Sequence, residues 1–157
     1  RRALVDNQKA YKNLQDELDF VKNYLEIQKI RFSERFDYTI NIDSSVNMDL
    51  EVPQMVVQTY VENAIKHGLE PLRKGGLLTI DILAKKNGIE IVIQDNGVGI
   101  TEAKKNAREG TRSGIKIMNE IYQMHNENSS TRINVTLIDL YKKEEKGTKV
   151  IIDFNLK

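Results

Sequence analysis

The sequence predicts an α+β fold: a two-layer α/β sandwich with a mixed, mostly antiparallel sheet and helices on one face, preceded by an N-terminal helix. Long stretches with apolar residues three and four positions apart indicate helices, and strictly alternating stretches indicate strands. An Asn-Gly pair joins two alternating stretches and predicts a hairpin. Because these strands alternate apolar and polar residues, only one face of the sheet needs helical cover.

Length and composition exclude several classes of protein. The 157 residues suit one domain, and 24 basic residues nearly balance 23 acidic ones. No overall positive field therefore favours nucleic acid or an anionic membrane. The lack of cysteine excludes disulfides and thiolate metal sites. No apolar run is long enough to cross a bilayer. The chain begins with Arg1 rather than Met, and we expect it to be a fragment of a longer protein.

Residues 3–32 contain neither Gly nor Pro and are predicted to form the N-terminal helix. Its apolar residues follow a heptad seam interrupted by polar residues, and Phe20, Tyr24 and Ile27 widen the apolar surface. Two interpretations are open: the helix packs on its own domain, or it also pairs with another helix in a hairpin or a dimer. The seam consists of Leu4, Tyr11, Leu14, Leu18, Val21, Leu25 and Phe32.

A second helix is predicted from Pro53 to Gly68, since Pro suits a first helical turn and Gly suits a helix end. A solvated surface would explain its polar face. The same side chains could instead hold a hydrated cation with attached phosphates, because oxygen ligands suit Mg²⁺ and Lys suits phosphate. The apolar face is formed by Val57, Tyr60, Val61 and Ala64, and the polar face by Thr59, Glu62, Asn63, Lys66 and His67.

The remaining pattern predicts strands joined by short turns, a further helix, and one ambiguous segment. Residues 101–112 suit either a short helix capped by Thr101 or a mobile loop. The strands are predicted at 36–42, 77–84, 89–94, 132–141 and 148–156, with the helix at 115–127.

Two glycine-bearing segments are candidate ligand sites. Asp95-x-Gly97-x-Gly99 ends a buried strand, so its carboxylate is partly desolvated and its glycines let a flat ligand approach the backbone. A turn with an Asx cap would explain the same residues. Gly110 to Gly114 precedes a helix, whose N–H groups can bind an anion, although glycine before a helix is common.

Taken in order, these segments resemble the ATP-binding catalytic domain shared by sensor histidine kinases, type II topoisomerases, Hsp90 and MutL, known as the Bergerat fold. ENAIKHG at 62–68 resembles the N box, DNGVGI at 95–100 the G1 box, and GTRSGI at 110–115 the G2 box. The segments around Tyr24–Phe32 and Val52–Gln54 are most similar to LytS-like sensor histidine kinases. The G2 box departs from the fuller pattern because Arg112 stands where a third glycine is usual.

The resemblance implies a role for each motif residue. Asn63 would coordinate Mg²⁺ that bridges the ATP phosphates, with Glu62 beside it as the second catalytic residue. Asp95 would accept a hydrogen bond from the adenine amino group, which disfavours guanine because its carbonyl would face the carboxylate. Residues 98–113 would form a lid. The remaining cofactor-binding residues implied are Lys66, His67, Gly97, Gly99, Ile100, Arg112, Ser113, Gly114, Ile115 and Thr148.

The resemblance also implies a histidine protein kinase. Residues 34–157 would be the ATP-binding catalytic domain, and residues 1–33 the C-terminal arm of a dimerisation and phosphoacceptor region. The acceptor histidine would lie before Arg1, so this chain alone would autophosphorylate poorly. Alternatives are a stand-alone serine kinase of the anti-sigma-factor type, an ATP-driven protein like Hsp90 or MutL, and a non-enzymatic binding module.

The partners implied are ATP, a response regulator and, in the full-length protein, a second copy of the chain. Nucleic acid is not expected as a partner. Membrane contact is expected only through missing upstream segments, so the chain would be the cytoplasmic domain of a bacterial sensor anchored in the inner membrane.

Overall fold

The computed structural model describes residues 10–33, 35–106, 111–143 and 145–157, with the backbone alone for 104–106 and 111–113. A five-stranded sheet has the order β2-β4-β5-β7-β6, and a two-stranded ribbon pairs β1 with β3. In the large sheet, β2 runs parallel to β4 and the other neighbours are antiparallel. The strands are β1 Tyr11–Asn13, β2 Phe36–Ile42, β3 Glu51–Pro53, β4 Gly76–Lys85, β5 Gly88–Asp95, β6 Thr131–Asp139 and β7 Thr148–Leu156.

The helices pack on one face of this sheet, which confirms the predicted fold class. None of the helices in the described ranges is long and apolar enough to cross a membrane. The helices are α1 Leu14–Arg31, α2 Gln58–Asn63 with a π-helical turn Ala64–Leu69, α3 Gly99–Asn106, α4 Thr111–Asn128 and a 3₁₀ turn Leu140–Lys143.

One apolar core joins the helices to the sheet. The seam residues Leu14, Leu18, Val21 and Leu25 of α1 are almost fully buried in it. They share the core with the alternating apolar residues of β4, β5 and β7, as their period of two requires. The predicted hairpin is also present, but its turn is Lys86-Asn87 rather than Asn87-Gly88, because Lys85 pairs with Gly88 and Gly88 already belongs to β5.

The N-terminal helix differs from its prediction. Residues 3–9 lie outside the described part of the chain, and Tyr11–Asn13 pair with Glu51–Pro53 as an antiparallel ribbon. The helix begins at Leu14 because the Oδ1 atom of Asn13 accepts a hydrogen bond from the Asp16 N–H at 2.8 Å. This side-chain cap ends the extended segment and starts the helix.

The predicted bounds of the second helix were wrong at both ends. Pro53 lies in β3, and the chain then turns through Met55 in a left-handed conformation, with φ 67°, before α2 begins at Gln58. At the other end the helix widens into a π-helical turn, so Gly68 lies inside it rather than after it. Thr59, assigned to the polar face, is buried.

The later elements also differ from their predicted bounds. Residues 99–106 form α3, which begins before Thr101, and α4 begins at Thr111 rather than Ile115. β6 ends at Asp139 rather than at Tyr141, and Leu137, near the end of this edge strand, is 45% exposed.

We expect Leu25→Ala to lower the free energy of unfolding by about 2–5 kcal/mol, because it leaves a cavity under α1. Ile30→Ala in the same helix is the matched control. Ile30 is 81% exposed, and its truncation should change stability by less than about 0.5 kcal/mol. Urea unfolding of the two variants measures both values. Equal effects would contradict the placement of α1 in the core.

Candidate functional site

Asp95 is a buried carboxylate at the end of β5. It is 4% exposed, and its Oδ1 atom accepts a hydrogen bond from the Gly97 N–H at 2.8 Å. Burial raises the pKa of Asp95 to about 6, against the lowering effect of the backbone N–H groups of Gly97 and Thr148. A carboxylate can accept several hydrogen bonds, so Asp95 keeps capacity for a donor on a ligand.

The backbone of α2 lies against the Asp95 carboxylate at Gly68. A Cβ atom on Gly68 would lie 2.8 Å from Asp95 Oδ1, and one on Gly97 would lie 2.2 Å from the Gly68 carbonyl. The Val98 N–H also donates to the Gly68 oxygen at 3.1 Å. Only glycine allows the two backbones to come this close, and the contact fixes the end of α2 against the Asp95 turn.

The start of β7 supports Asp95 from the other side. Thr148 pairs with Asp95 in the sheet. Gly147, with φ 103°, precedes it, and a Cβ atom there would lie 1.8 Å from the Asp95 carbonyl oxygen. This close approach lets the chain enter β7 directly beside the carboxylate.

The polar face of α2 lies N-terminal to the contact between Gly68 and Asp95. Asn63 is half-buried, and its side chain makes no hydrogen bond within the described ranges. Lys66 is exposed and His67 is half-buried, and burial together with the Lys66 charge lowers the pKa of His67. The free carboxamide and the neighbouring cation are groups that can meet a metal-bound phosphate.

Glu62 is directed differently from Asn63. Its carboxylate accepts a hydrogen bond from Gln58 Nε2 at 2.8 Å. Burial, and after it the Glu62 charge, raise the pKa of Tyr24 in α1 to about 12. The structure therefore brings Glu62 near α1 and does not bring it to Asp95.

The segment after Asp95 turns into α3 at Gly99. This glycine has φ 81°, and a Cβ atom on it would lie 2.6 Å from the ring of Tyr141. Asp139 holds the first turn of α3, because its Oδ2 atom accepts hydrogen bonds from the Thr101 hydroxyl at 2.9 Å and from the Thr101 N–H. Ile100 is half-buried. Of the predicted lid, residues 107–110 lie outside the described residues.

The start of α4 lies beside α2. A Cβ atom on Gly114 would be 4.0 Å from Thr59 Cγ2. The first described turn of α4 begins at Thr111. The side chains of Arg112 and Ser113 lie outside the described part of the chain, and Ile115 is half-buried.

Together these elements form a site with two ends. Asp95, Gly97 and Thr148 meet Gly68 at one end, while Asn63 and the first turn of α4 lie further along α2. Asn63 lies five positions before Gly68, which is roughly 7 Å along an α-helix. A ligand with a flat base at one end and an anionic group at the other matches this spacing.

The sequence matches a known family over most of its length. Residues 48–157 match the family described as "Histidine kinase-, DNA gyrase B-, and HSP90-like ATPase", and residues 1–36 match the histidine kinase family. The chain belongs to the first of these families. It is 30% identical to the sensor histidine kinase YesM of Bacillus subtilis over 156 residues, which is 96% of this chain and 25% of YesM.

A second relative and a solved structure agree with this assignment. The chain is 31% identical to the sensor protein LytS of Oceanobacillus iheyensis, covering 82% of this chain and 25% of LytS. It therefore spans a quarter of the length of these two curated relatives. Histidine kinase ThkA, solved in complex with the response regulator TrrA, shares the fold at 17% identity with a TM-score of 0.58, covering 94% of this chain and 41% of that chain. The resemblance to LytS-like histidine kinases is thus confirmed.

Two residues of this ATPase-family site were not predicted as site residues. The sequence predicts Gly68 as a helix end, although its place in the N-box resemblance is a sign of a close backbone contact. Gly147 is absent from the predicted site, since a glycine directly before a strand gives no local sign of its contact with Asp95.

We expect Gly97→Ala to destabilise the protein by about 1–3 kcal/mol, because the added methyl group overlaps the Gly68 backbone. Gly114→Ala is the control, since its nearest contact would be 4.0 Å away and alanine favours a helix over glycine by roughly 1 kcal/mol. Thermal unfolding compares the variants. A Gly97→Ala protein as stable as Gly114→Ala would contradict the close contact.

Proposed function

We propose that this chain is the ATP-binding catalytic domain of a two-component sensor histidine kinase. The observation that carries the proposal is the buried Asp95 carboxylate enclosed by the Gly68 and Gly97 backbones. The family and the relatives named as sensor histidine kinases support the same function.

Asp95 would select adenine. The adenine amino group can donate a hydrogen bond to the carboxylate, whereas guanine carries a carbonyl at that position and would place two acceptors face to face. A mismatch of this kind is costly in a buried site because neither oxygen has water as a partner. Gly97 holds the turn that carries Asp95 against the Gly68 backbone.

Asn63 and the first turn of α4 would hold the phosphates with Mg²⁺. The Asn63 carboxamide is half-buried and has no hydrogen-bond partner among the described residues, so it can serve as an oxygen ligand. Lys66 adds a cation, and the N–H groups of 111–113 favour an anion. Bound ATP would supply the γ-phosphoryl group, with Mg²⁺ neutralising its charge. Glu62 is proposed to assist through water, as the family pattern implies.

The acceptor histidine is proposed to lie in another part of the polypeptide. His125 is 6% exposed, and its ring nitrogens pair with the Tyr11 hydroxyl and Thr131 Oγ1, both at 2.8 Å. Neither nitrogen is therefore available as a nucleophile. His67 lies in the candidate site itself, among the groups proposed for the phosphates.

The remaining assignments follow from this function. Residues 1–33 would act as the arm of the dimerisation and phosphoacceptor region and residues 34–157 as the catalytic domain, although α1 already packs in the common core. A response regulator is the proposed recipient of the phosphoryl group, supported by the ThkA–TrrA complex. We further propose dimerisation of the whole protein and membrane anchoring outside this chain, which leaves this domain in the cytoplasm.

We predict that Asp95→Asn weakens ATP binding by about 1.5–3 kcal/mol, the usual worth of a hydrogen bond to a charged group. Asp81→Asn is the matched control because, among the described residues, Asp81 accepts a side-chain hydrogen bond only from Asn41, at 2.7 Å on the neighbouring strand. Calorimetric titration gives both dissociation constants. An unchanged constant for Asp95→Asn would exclude the adenine assignment.

The pH dependence of adenosine binding, compared between the parent protein and Asp95→Asn, tests the same assignment a second time. A donor on adenine binds ionised Asp95 better than the protonated form, so affinity should rise as pH increases through its pKa of about 6. Adenosine is the ligand to use, because it has no phosphates to titrate. The rise should fall between about pH 5 and pH 7 and be absent in Asp95→Asn. A rise that persists in the variant would show that another group is responsible.

The function itself is tested by titrating ATP with and without Mg²⁺, with GTP as the control. We expect saturable ATP binding, GTP weaker by about tenfold or more, and a Mg²⁺ effect that is lost in Asn63→Ala. Absence of ATP binding would contradict the proposed function, and an unchanged Mg²⁺ effect in Asn63→Ala would exclude Asn63 as the ligand. In the longer polypeptide, a label that is lost in acid but survives base identifies phosphohistidine, and the reverse identifies phosphoserine.

A further inference from the structure

Glu17 of α1 is a fully buried carboxylate that none of the assignments above uses. Its Oε1 atom accepts hydrogen bonds from the N–H groups of Val57 and Gln58, at 3.0 and 3.1 Å. Its Oε2 atom accepts from the Met55 N–H at 3.3 Å and pairs with Lys12 Nζ at 2.8 Å. Glu17 therefore holds the segment in which α2 begins.

This contact replaces a cap that α2 lacks locally. The residue before the helix, Val57, has no side chain that can cap it. The first N–H groups of a helix need acceptors, and its positive end favours a carboxylate. Since the carboxylate comes from α1, the position of the α2 start depends on the position of α1.

The same buried region also reaches α4. The hydroxyl groups of Tyr60 in α2 and Tyr122 in α4 lie 3.0 Å apart. Burial first, and then Tyr60 and the Glu17 charge, raise the pKa of Tyr122. Glu17 thus lies close to the polar contact between the two helices whose ends border the proposed phosphate site.

The two ends of α2 are fixed by different contacts. Gly68 is held against Asp95 and Gly97, whereas the start of the helix is held by Glu17. If the Glu17 contact is lost, α2 can pivot about Gly68, and displacement grows with distance from that point. Asn63 would then move more than the base end of the site, so phosphate contacts would suffer before base contacts.

We propose that Glu17 is a positioning residue for the phosphate end of the nucleotide site. It acts through α2 and does not touch the nucleotide. The inference rests on the proposed function, since it assigns the phosphates to Asn63 and the start of α4. A shift of α1 would therefore change the affinity for the ATP phosphates and leave the affinity for the base unchanged.

The test compares Mg²⁺-ATP with adenosine in Glu17→Gln. Glutamine keeps the shape and one acceptor oxygen, but its amide group would face the Met55 N–H and the Lys12 ammonium. Lys12 is 21% exposed and can turn to solvent, so the variant is expected to fold. Asp19→Asn is the matched control, because Asp19 is an exposed carboxylate on the same helix whose one hydrogen-bond donor in the described part of the chain is Gln15.

We expect Glu17→Gln to weaken Mg²⁺-ATP binding by about tenfold, since small displacements of a positioned group are costly, and to leave adenosine binding unchanged. Asp19→Asn should change neither. Calorimetric titration measures the six dissociation constants of the parent and the two variants, and circular dichroism confirms folding. If both affinities fell by the same factor, Glu17 would have a purely structural role. If neither affinity changed, the inference would also be overturned. Failure of the parent protein to bind ATP would instead contradict the proposed function.

A second measurement needs no variant. Coupling between two sites is reciprocal, so phosphates bound at Asn63 should tighten the start of α2. We expect Mg²⁺-ATP to slow hydrogen exchange at the Val57 and Gln58 amides and adenosine to leave it unchanged. Equal protection by the two ligands, or no protection by either, would contradict the proposal.

Discussion

The close contact between the Gly68 and Gly97 backbones is the constraint on which the site depends. It joins the end of a helix to the end of a strand, and a Cβ atom on Gly97 would leave only 2.2 Å to the Gly68 carbonyl. This contact closes the backbones of Gly68 and Gly97 around Asp95, which is 4% exposed, so its charge is poorly solvated. The raised pKa of Asp95 is a consequence of this packing.

Two buried carboxylates lie at opposite ends of α2, and their surroundings explain their different roles. Glu17 has a cation, Lys12, and three backbone N–H groups, so its charge and hydrogen-bonding capacity are largely satisfied. Within the described part of the chain, the hydrogen bonds of Asp95 come from backbone N–H groups, and burial outweighs them. A buried charge without a cation is unfavourable until a donor arrives, which suits ligand binding. A paired one is costly to disturb, which suits an anchor.

The fold and the main motifs were predictable because they depend on local periodicity and glycine spacing. The strand alternation, the Asn-Gly hairpin and the polar face with Asn63 are of this kind. The errors occur where a distant residue decides the local structure. The start of α2 was placed at Pro53 because no local signal shows that Glu17 provides the cap. One sign was present: Glu17 lies on the buried side of an amphipathic helix, between Leu14 and Val21, where a charge demands a partner.

The burial of α1 also limits how the helix can contact another. Its seam is used inside the domain, so a partner helix can reach α1 only from the solvent side, where Phe20 is 50% exposed and Ile27 62% exposed. Lys12 connects that side to the interior, because its Nζ atom lies 5.2 Å from the centre of the Phe20 ring and 2.8 Å from Glu17. A contact that displaces Phe20 therefore acts first on the cation of Glu17, and through that carboxylate on the start of α2.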